Sequence, residues 1–410
     1  MQTRSLLLIL SLSAWCAAQP LPSLVAEALL HNHEILAAQK RYESLRQRPA
    51  QESSLPDPTF SVGYTSNGPP WPGAGLGSNP TSNVGVMVSQ EMPFPGKRGL
   101  RGQISAKEAA AAFDDYLAVR LNVVSRLDQA YHELHHAVVS IASIGRDKDL
   151  LRDMLRISES RYAVGRAAQQ DIFKAGTQLA VFETQLERYR QERISKQIEI
   201  NALLDRPQGG AIEVPEDLPV GEIRVTLDQM LAAARARAPR LAHDVHEIQR
   251  SELAANLARK DYYPDYTVSG GYFNQGTMPP MWQASITFRL PAYFWRKQRA
   301  AVTEQEFAAS EARHTYTAEQ TEVEARIRED YSVAKAARKL IGIYDSSVLP
   351  EARLTLESSL ASYQTGKLDF LAVFSNFMNV VDYELMDHEQ IMQLDLALAR
   401  LDELTGGTLQ

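Results

Sequence analysis

The residues best suited to chemistry form the run His132-Glu133-Leu134-His135-His136. His132 and His136 lie one helical turn apart with a glutamate between them, which is the HExxH spacing of zinc peptidases. No third ligand follows at a recognisable distance, and the run lies inside a long predicted helix that offers no substrate cleft. At the equivalent place of an internal repeat, described below, the chain reads Tyr331-Ser332-Val333-Ala334-Lys335-Ala336. A zinc peptidase is therefore a rival hypothesis, and we expect no metal.

Other candidates for chemistry are weaker. His243 and His246 share a helical face and are interpreted as solvated. The sequence offers no Ser-His-Asp arrangement, no phosphate-binding glycine loop and no basic patch interleaved with aromatic residues, so we predict neither an enzyme nor a cofactor. A formal net charge of −7 over 410 residues argues against a nucleic-acid partner.

The first 18 residues predict an export signal. Arg4 supplies a positive charge, residues 6–10 form a short apolar core, and Cys16-Ala17-Ala18 precedes a predicted cut ahead of Gln19. The apolar core is too short for a membrane-spanning helix, which needs about 20 apolar residues. Cys16, the only cysteine, is interpreted either as part of the cleavage site or as the lipidated residue of a lipoprotein.

The chain repeats itself at an interval of about 200 residues. Residues 56–64 return at 264–272 with six of nine positions identical, and the segment Tyr162 to Arg166 returns as Tyr363 to Lys367. A register kept over this distance indicates a duplicated unit, far longer than the repeats of solenoid proteins. The predicted boundaries are a signal peptide at 1–18, a first repeat at 19–206, a linker at 207–225 and a second repeat at 226–410.

Each repeat is predicted to contain a helix, a β-hairpin and a long helical hairpin. The β-hairpins, at about 59–91 and 267–290, alternate apolar with polar residues, as Phe60, Val62 and Tyr64 do with their neighbours. Four strands of roughly ten residues can cross a bilayer at a tilt. They cannot close a barrel alone, and an open edge is not tolerated in lipid. If the strands span a membrane, several copies must combine.

The helical hairpins show the period of coiled coils. Apolar residues between positions 123 and 144 are spaced alternately by four and three, which predicts one helix from about Gly96 to Tyr162, on the order of 100 Å long. Gly165 and Gly366 mark the turns of the two hairpins, and Pro350 is expected to interrupt the second. The predicted fold is mainly α with a small β part.

Aromatic residues flank the predicted β-hairpins, where the rings of membrane-interface residues belong. A soluble core is the rival interpretation. The residues are Trp71, Trp282, Tyr293, Phe294 and Trp295.

The ordered set of motifs resembles the TolC-like outer-membrane efflux proteins over nearly all of the mature chain. The resemblance rests on the duplication, the paired β-hairpins and the two Tyr-x-x-Gly turns. Residues 348–352 followed by residues 363–371 look very like the signature of the second half of that family.

The resemblance implies a homotrimer in the outer membrane of a Gram-negative bacterium. Three chains would build one twelve-stranded barrel in contact with lipid, and their helices would form a tunnel through the periplasm. The partners implied are a periplasmic adaptor and an inner-membrane pump, expected to be proton-driven. A periplasmic coiled-coil scaffold without a pore is the alternative function.

The resemblance also places a gate at the two turns, at the periplasmic end. Asp171 matches an acidic position of the family and would form a cation-favouring ring in a trimer. An aspartate there can also be a solvated helix residue or can serve the start of a helix. Leu368 stands where the best-known members carry a basic gate residue, and Ala372 and Ser375 stand where they carry acids. The pore or gate candidates are Tyr162, Asp171, Tyr363, Lys367 and Asp369. The adaptor-contact candidates are Val164, Gly165, Arg166, Thr365, Gly366 and Lys367.

Overall fold

The computed structural model describes residues 19–66 and 71–407 of the chain. Over these ranges the chain forms ten α-helices, one π-helical turn and four β-strands, which confirms a mainly helical protein with a small β part. The predicted signal peptide and Cys16 lie outside the described residues. Among the residues described, no helix is both long and apolar enough to cross a membrane.

The elements follow a similar order in both halves of the chain, but the first half has one more short helix before its strands and the second half has a π-helical turn. Those of the first half are α1 (Leu21–His31), α2 (His33–Leu45), α3 (Arg48–Ser53), β1 (Thr59–Thr65), β2 (Asn83–Met92), α4 (Lys97–Ala163) and α5 (Gln169–Leu203). Those of the second half are α6 (Leu227–Arg237), α7 (Pro239–Lys260), β3 (Asp265–Asn274), β4 (Met281–Arg289), α8 (Lys297–Ile343), a π-helical turn (Tyr344–Val348), α9 (Leu349–Gln364) and α10 (Phe370–Thr405).

The first helical stretch of each half is interrupted at an equivalent point, but a different residue causes each interruption. Between α1 and α2 the buried Asn32 accepts hydrogen bonds at Oδ1 from the N–H groups of Glu34 and Ile35, at 2.9 and 3.2 Å. It thereby caps the start of α2. Between α6 and α7 the break precedes Pro239, whose missing N–H is tolerated in the first turn of a new helix.

The four strands form one antiparallel sheet in the order β1-β2-β3-β4. The central pairing of β2 with β3 therefore joins the two halves of the chain. Cross-strand partners such as Val62 and Val86, or Val268 and Ile286, point to the same face. The apolar side chains of this face are those of Phe60, Val62, Tyr64, Val84, Val86, Val88, Met92, Tyr266, Val268, Tyr272, Trp282, Ala284, Ile286 and Phe288, and the polar Gln90 and Asn274 lie on it as well.

The opposite face of the sheet is mostly small and polar. It carries Thr59, Ser61, Ser89, Thr267, Ser269, Gln283, Ser285 and Thr287, with Met87, Phe273 and Met281 as apolar members. Most of the apolar face is exposed in the protomer, as are the five aromatic residues that flank the hairpins. The rival interpretation required those rings to be buried in a core, and in the protomer they are not.

The long helix α4 has 67 residues, within one residue of the predicted bounds at each end. Its apolar stripe is buried as the coiled-coil spacing predicts, because residues spaced alternately by four and three lie on one face of the helix and pack against neighbouring helices. The buried members are Val123, Leu127, Ala130, Leu134, Ala137 and Ile144. Ile141 is partly buried and packs against the same apolar cluster.

The predicted interruption at Pro350 is confirmed. Pro350 lies in the first turn of α9, directly after the π-helical turn. A proline within a helix lacks its N–H donor and its ring collides with the carbonyl four residues earlier. The wider π turn accommodates that change without ending the helical path.

The described chain clusters into two compact units. One contains residues up to Leu36, Val119–Ala236 and Val323–Gln410, and the other contains Ala37–Ala118 and Arg237–Glu322. Each unit takes corresponding segments from both predicted repeats. The exact boundaries of the repeats stay a prediction.

Candidate functional site: the two helical-hairpin turns

The first turn joins α4 to α5 through a glycine in the left-handed conformation. The N–H of Gly165 donates to the carbonyl of Tyr162 at 2.9 Å, and the N–H of Arg166 donates to the carbonyl of Arg161 at 2.8 Å. Gly165 has a φ of 71°. This pair of bonds ends a helix cleanly and requires a residue that accepts positive φ, which favours glycine.

The second turn, between α9 and α10, repeats this geometry. Gly366 donates to Tyr363 and Lys367 donates to Ser362, both at 3.0 Å, and Gly366 has a φ of 79°. The two turns therefore share this pair of bonds, as their sequence likeness suggested. At Gly165 and at Gly366, no described atom lies within 4 Å of the position that a Cβ would take. Both tips point into open space.

The residues predicted for the adaptor contact are all exposed: Val164, Gly165, Arg166, Thr365, Gly366 and Lys367. The structure brings each set of three together on its own tip. Their role in binding a partner stays a prediction.

The two candidate carboxylates both stand at helix starts. Asp369 caps α10, accepting a hydrogen bond at Oδ1 from the N–H of Ala372 at 3.0 Å, and is exposed. Asp171 lies in the first turn of α5, accepts from the N–H of Ala168 at 3.4 Å, and is only 7% exposed. A carboxylate at this end of a helix is favoured by the helix dipole. The helix-start interpretation of Asp171 is thus realised, and its pore role stays a prediction.

A side chain that sequence reasoning missed ties the two turns together. The guanidinium of Arg161, near the end of α4, donates to the carbonyl of Tyr363 and to that of Gln364, the latter at 3.0 Å. The same group lies 4.1 Å from the centroid of the Tyr363 ring. Arginine suits this place because its planar fork donates several bonds and stacks on aromatic faces. We call this contact the Arg161 clamp.

The two equivalent tyrosines occupy different environments. Tyr363 is 3% exposed, and its hydroxyl lies 3.0 Å from the Oγ of Ser158 on α4. Tyr162 is 46% exposed. Ser158 has an equivalent in Ser359, so the repeat could have pointed to it. The residue equivalent to Arg161 is Ser362, so the repeat gave no signal for the clamp.

A cleft of about 840 Å³ opens between the two turns. The cleft is lined by Arg161, Asp171, Tyr363, Lys367 and Asp369, among others. The structure thus gathers four of the five gate candidates around one opening. Tyr162 stands outside it.

The family model of the outer membrane efflux proteins matches residues 24–206 and 230–407, which is most of the chain. The chain belongs to the outer membrane efflux protein family. It is therefore an outer-membrane channel of a tripartite efflux system, with a large periplasmic portion. None of the curated proteins matches it in sequence.

Solved structures of outer-membrane channels share the fold of this efflux protein. VceC from Vibrio cholerae is 17% identical with a TM-score of 0.82, covering 95% of this chain and 97% of that one. CmeC from Campylobacter jejuni is 15% identical with a TM-score of 0.79, covering 94% and 85%. The open state of MtrE from Neisseria gonorrhoeae is 17% identical with a TM-score of 0.73, covering 95% and 89%. At these identities the likeness establishes the fold alone.

In this efflux channel the histidine run of α4 is built into helix packing. Nε2 of His132 lies 3.1 Å from Oδ1 of Asp128, and its Nδ1 lies 3.1 Å from Oδ2 of Asp395 on α10. Burial alone would lower the pKa of His132, but the two carboxylates outweigh it and raise the pKa to about 9. A histidine protonated on both nitrogens cannot bind a metal.

His136, the other member of the HExxH spacing, is also buried. Its Nε2 lies 3.7 Å from Oε2 of Glu389, and burial lowers its pKa. In the part of the chain that the structure describes, no group of three or more histidine, cysteine or acidic residues could hold a metal ion. His132 and His136 thus serve as contacts between α4 and α10.

Proposed function

We propose that three copies of this chain join their sheets edge to edge into one twelve-stranded barrel in the outer membrane. The helices would continue as a periplasmic duct that receives substrates from an adaptor and an inner-membrane pump. The observation that carries this proposal is the sheet itself. One of its faces is apolar and mostly exposed, the other is mostly polar, and it ends in two outer strands, β1 and β4.

Such a sheet is not stable as an isolated surface. The outer edges of β1 and β4 carry backbone groups that need partners, and lipid supplies none. Closure with further copies satisfies those groups, turns the apolar face to lipid and the polar face to a water-filled interior. Three copies are proposed because the family resemblance implies that number.

The two turns are proposed as the periplasmic end of the duct. The chain leaves β2 and soon enters α4, whose 67 residues cover roughly 100 Å before the first turn. The exposed tips would contact the adaptor. The Arg161 clamp would hold the second hairpin against the first within a protomer, and its release would widen the opening.

Transport of this kind needs no bond chemistry, and we propose that the chain performs none. The ring nitrogens of His132 face Asp128 and Asp395, so the one motif with catalytic spacing is already committed to packing. Selectivity of a duct rests on its charges and its width.

The alternative, a periplasmic scaffold without a pore, does not account for the sheet. A scaffold made of coiled coils has no need for hairpins with an apolar face exposed to its surroundings. We therefore keep the duct as the function that the structure supports best.

The test is the state of the full-length protein extracted from outer membranes in detergent. Native mass spectrometry should give three times the chain mass, and unheated samples should migrate as a trimer that heating converts to a monomer. Planar bilayers should show stepwise conductance. A monomer recovered from the water-soluble periplasmic fraction would contradict the duct and favour the scaffold.

A further inference from the structure

The two junctions between strand and helix use their charged and aromatic residues differently. In the first junction, between β2 and α4, Lys97 is only 2% exposed. Its ammonium lies 3.1 Å from Oδ1 of Asp261 and 2.9 Å from Oδ1 of Asp265. The ring of Phe94 stacks on Tyr263 with centroids 4.5 Å apart. Lys97 and the ring of Phe94 are thus both used inside the protein, and the neighbouring Arg98 is half-buried.

The second junction, between β4 and α8, is turned outward. Tyr293 is 70% exposed and Trp295 is 61% exposed, with Phe294 between them. The backbone of this turn is nevertheless held by hydrogen bonds, since the carbonyl of Tyr293 accepts from the N–H groups of Arg296 and Lys297 at 3.0 and 2.9 Å. The aromatic rings also contact one another, with Phe294 and Trp295 centroids 5.1 Å apart. A fixed turn therefore presents three rings to the surroundings.

Basic side chains follow these rings directly. Arg296, Lys297 and Arg299 are exposed, and in the described part of the chain no carboxylate forms an ion pair with them. A cleft of about 890 Å³ is lined by Tyr293, Trp295, Arg296, Lys297 and Glu304. Glu304 is the single acidic residue of that lining. The net charge of the surface is therefore positive.

We propose that this surface, Tyr293–Arg299, binds the headgroup of an anionic phospholipid. Exposed aromatic rings sit at the boundary between acyl chains and headgroups, and Lys and Arg next to them attract and hydrogen-bond lipid phosphates. The inference rests on the proposed function, in which β4 spans the membrane. It follows that the lipid belongs to the leaflet on the side where the helices begin, the periplasmic leaflet.

The positive net charge of this surface favours a lipid with a net negative charge over a zwitterionic one. A zwitterionic phosphatidylethanolamine brings its own ammonium beside the three cations, whereas phosphatidylglycerol brings a net negative charge. Binding should therefore distinguish the two lipids although both carry a phosphate.

The experiment is native mass spectrometry of the detergent-purified full-length protein titrated with phosphatidylglycerol or phosphatidylethanolamine. The intact protein should prefer phosphatidylglycerol, and a variant with Arg296→Gln, Lys297→Gln and Arg299→Gln should lose roughly tenfold in that preference. The matched control changes Lys335→Gln, Arg338→Gln and Lys339→Gln, three exposed basic residues farther along α8. It removes the same charge and should retain the preference.

The same spectra report the oligomeric state, which keeps the two proposals separate. A trimer that binds both lipids equally, or a control that loses the preference as much as the junction variant does, overturns the lipid inference and leaves the duct intact. A protein that is not a trimer would contradict the proposed function itself.

Discussion

At the scale of single residues, the polar groups buried between helices are the most informative. His132 carries a positive charge between Asp128 and Asp395, where burial opposes the charge and the carboxylates favour it. The net result is a pKa of about 9, against 6.5 for an unperturbed histidine. Because the folded pKa is the higher one, the stabilisation is complete below about pH 6.5 and disappears as the pH rises through about 9.

His132→Gln should therefore lower stability at pH 7, by about 3 kcal/mol if the charged contact is lost outright. At pH 10 the native histidine is neutral as well, so the gap in thermal unfolding temperature between the two proteins should shrink. Circular dichroism melts of both at pH 7 and pH 10 measure this. A gap of the same size at both values would show that the contact depends on shape and not on charge.

Asp171 allows a second residue-scale prediction, because its two candidate roles respond differently to one change. Asp171→Asn keeps an oxygen that can accept from Ala168 but removes the charge. If three copies form a ring, the variant should show a lower preference for cations in planar-bilayer conductance. Unaltered selectivity with normal assembly would leave Asp171 as a helix-start residue only.

At the scale of elements, the two turns have a constrained backbone conformation and exposed tips. Gly165→Trp and Gly366→Trp should each block adaptor docking, since the ring would project from the tip into open space. The expected result is lost efflux with a normal amount of trimer. Gly165→Ala and Gly366→Ala are the controls, because they carry the same positive-φ strain, about 1–2 kcal/mol, without the bulk. Normal efflux by both tryptophan variants would place the adaptor contact elsewhere.

The Arg161 clamp gives a further prediction for the same elements. Arg161→Lys keeps the positive charge but cannot supply the planar fork to two carbonyls, so the second hairpin should separate more easily from the first. Single-channel conductance should rise. Arg156→Lys is the control, because Arg156 lies on the same helix and pairs with Asp153, at 2.9 Å. Equal conductance of wild type and Arg161→Lys would remove the clamp from the gate.

The helices and strands could be predicted where a regular spacing of apolar residues continues over many positions. The coiled-coil spacing of α4 and the alternation in the strands give many agreeing residues, so their type and bounds followed from the sequence. The Arg161 clamp did not, because its partners lie about 200 residues away and its repeat equivalent is a serine. The burial of Asp171 likewise depends on neighbours brought together by the fold.

At the scale of the whole molecule, the two halves of the chain are interleaved. β2 of the first half pairs with β3 of the second, and each compact unit draws on both halves. Neither half therefore completes a sheet or a unit by itself. The sequence revealed that the halves match, but the cross-half pairing is a tertiary contact without a local signal.

The exposed apolar face of the sheet leads to the last prediction. Ile286 and Thr287 are neighbours on β4, both exposed and on opposite faces. In a closed barrel Ile286 faces lipid, where an arginine costs about 2–4 kcal/mol at the bilayer midplane, and Thr287 faces water, where it costs little. Ile286→Arg should therefore reduce the heat-modifiable trimer in outer-membrane fractions, and Thr287→Arg should leave it near the wild-type level. Equal amounts of trimer for the two variants, or the opposite order, would contradict a lipid-facing Ile286 and with it the proposed barrel.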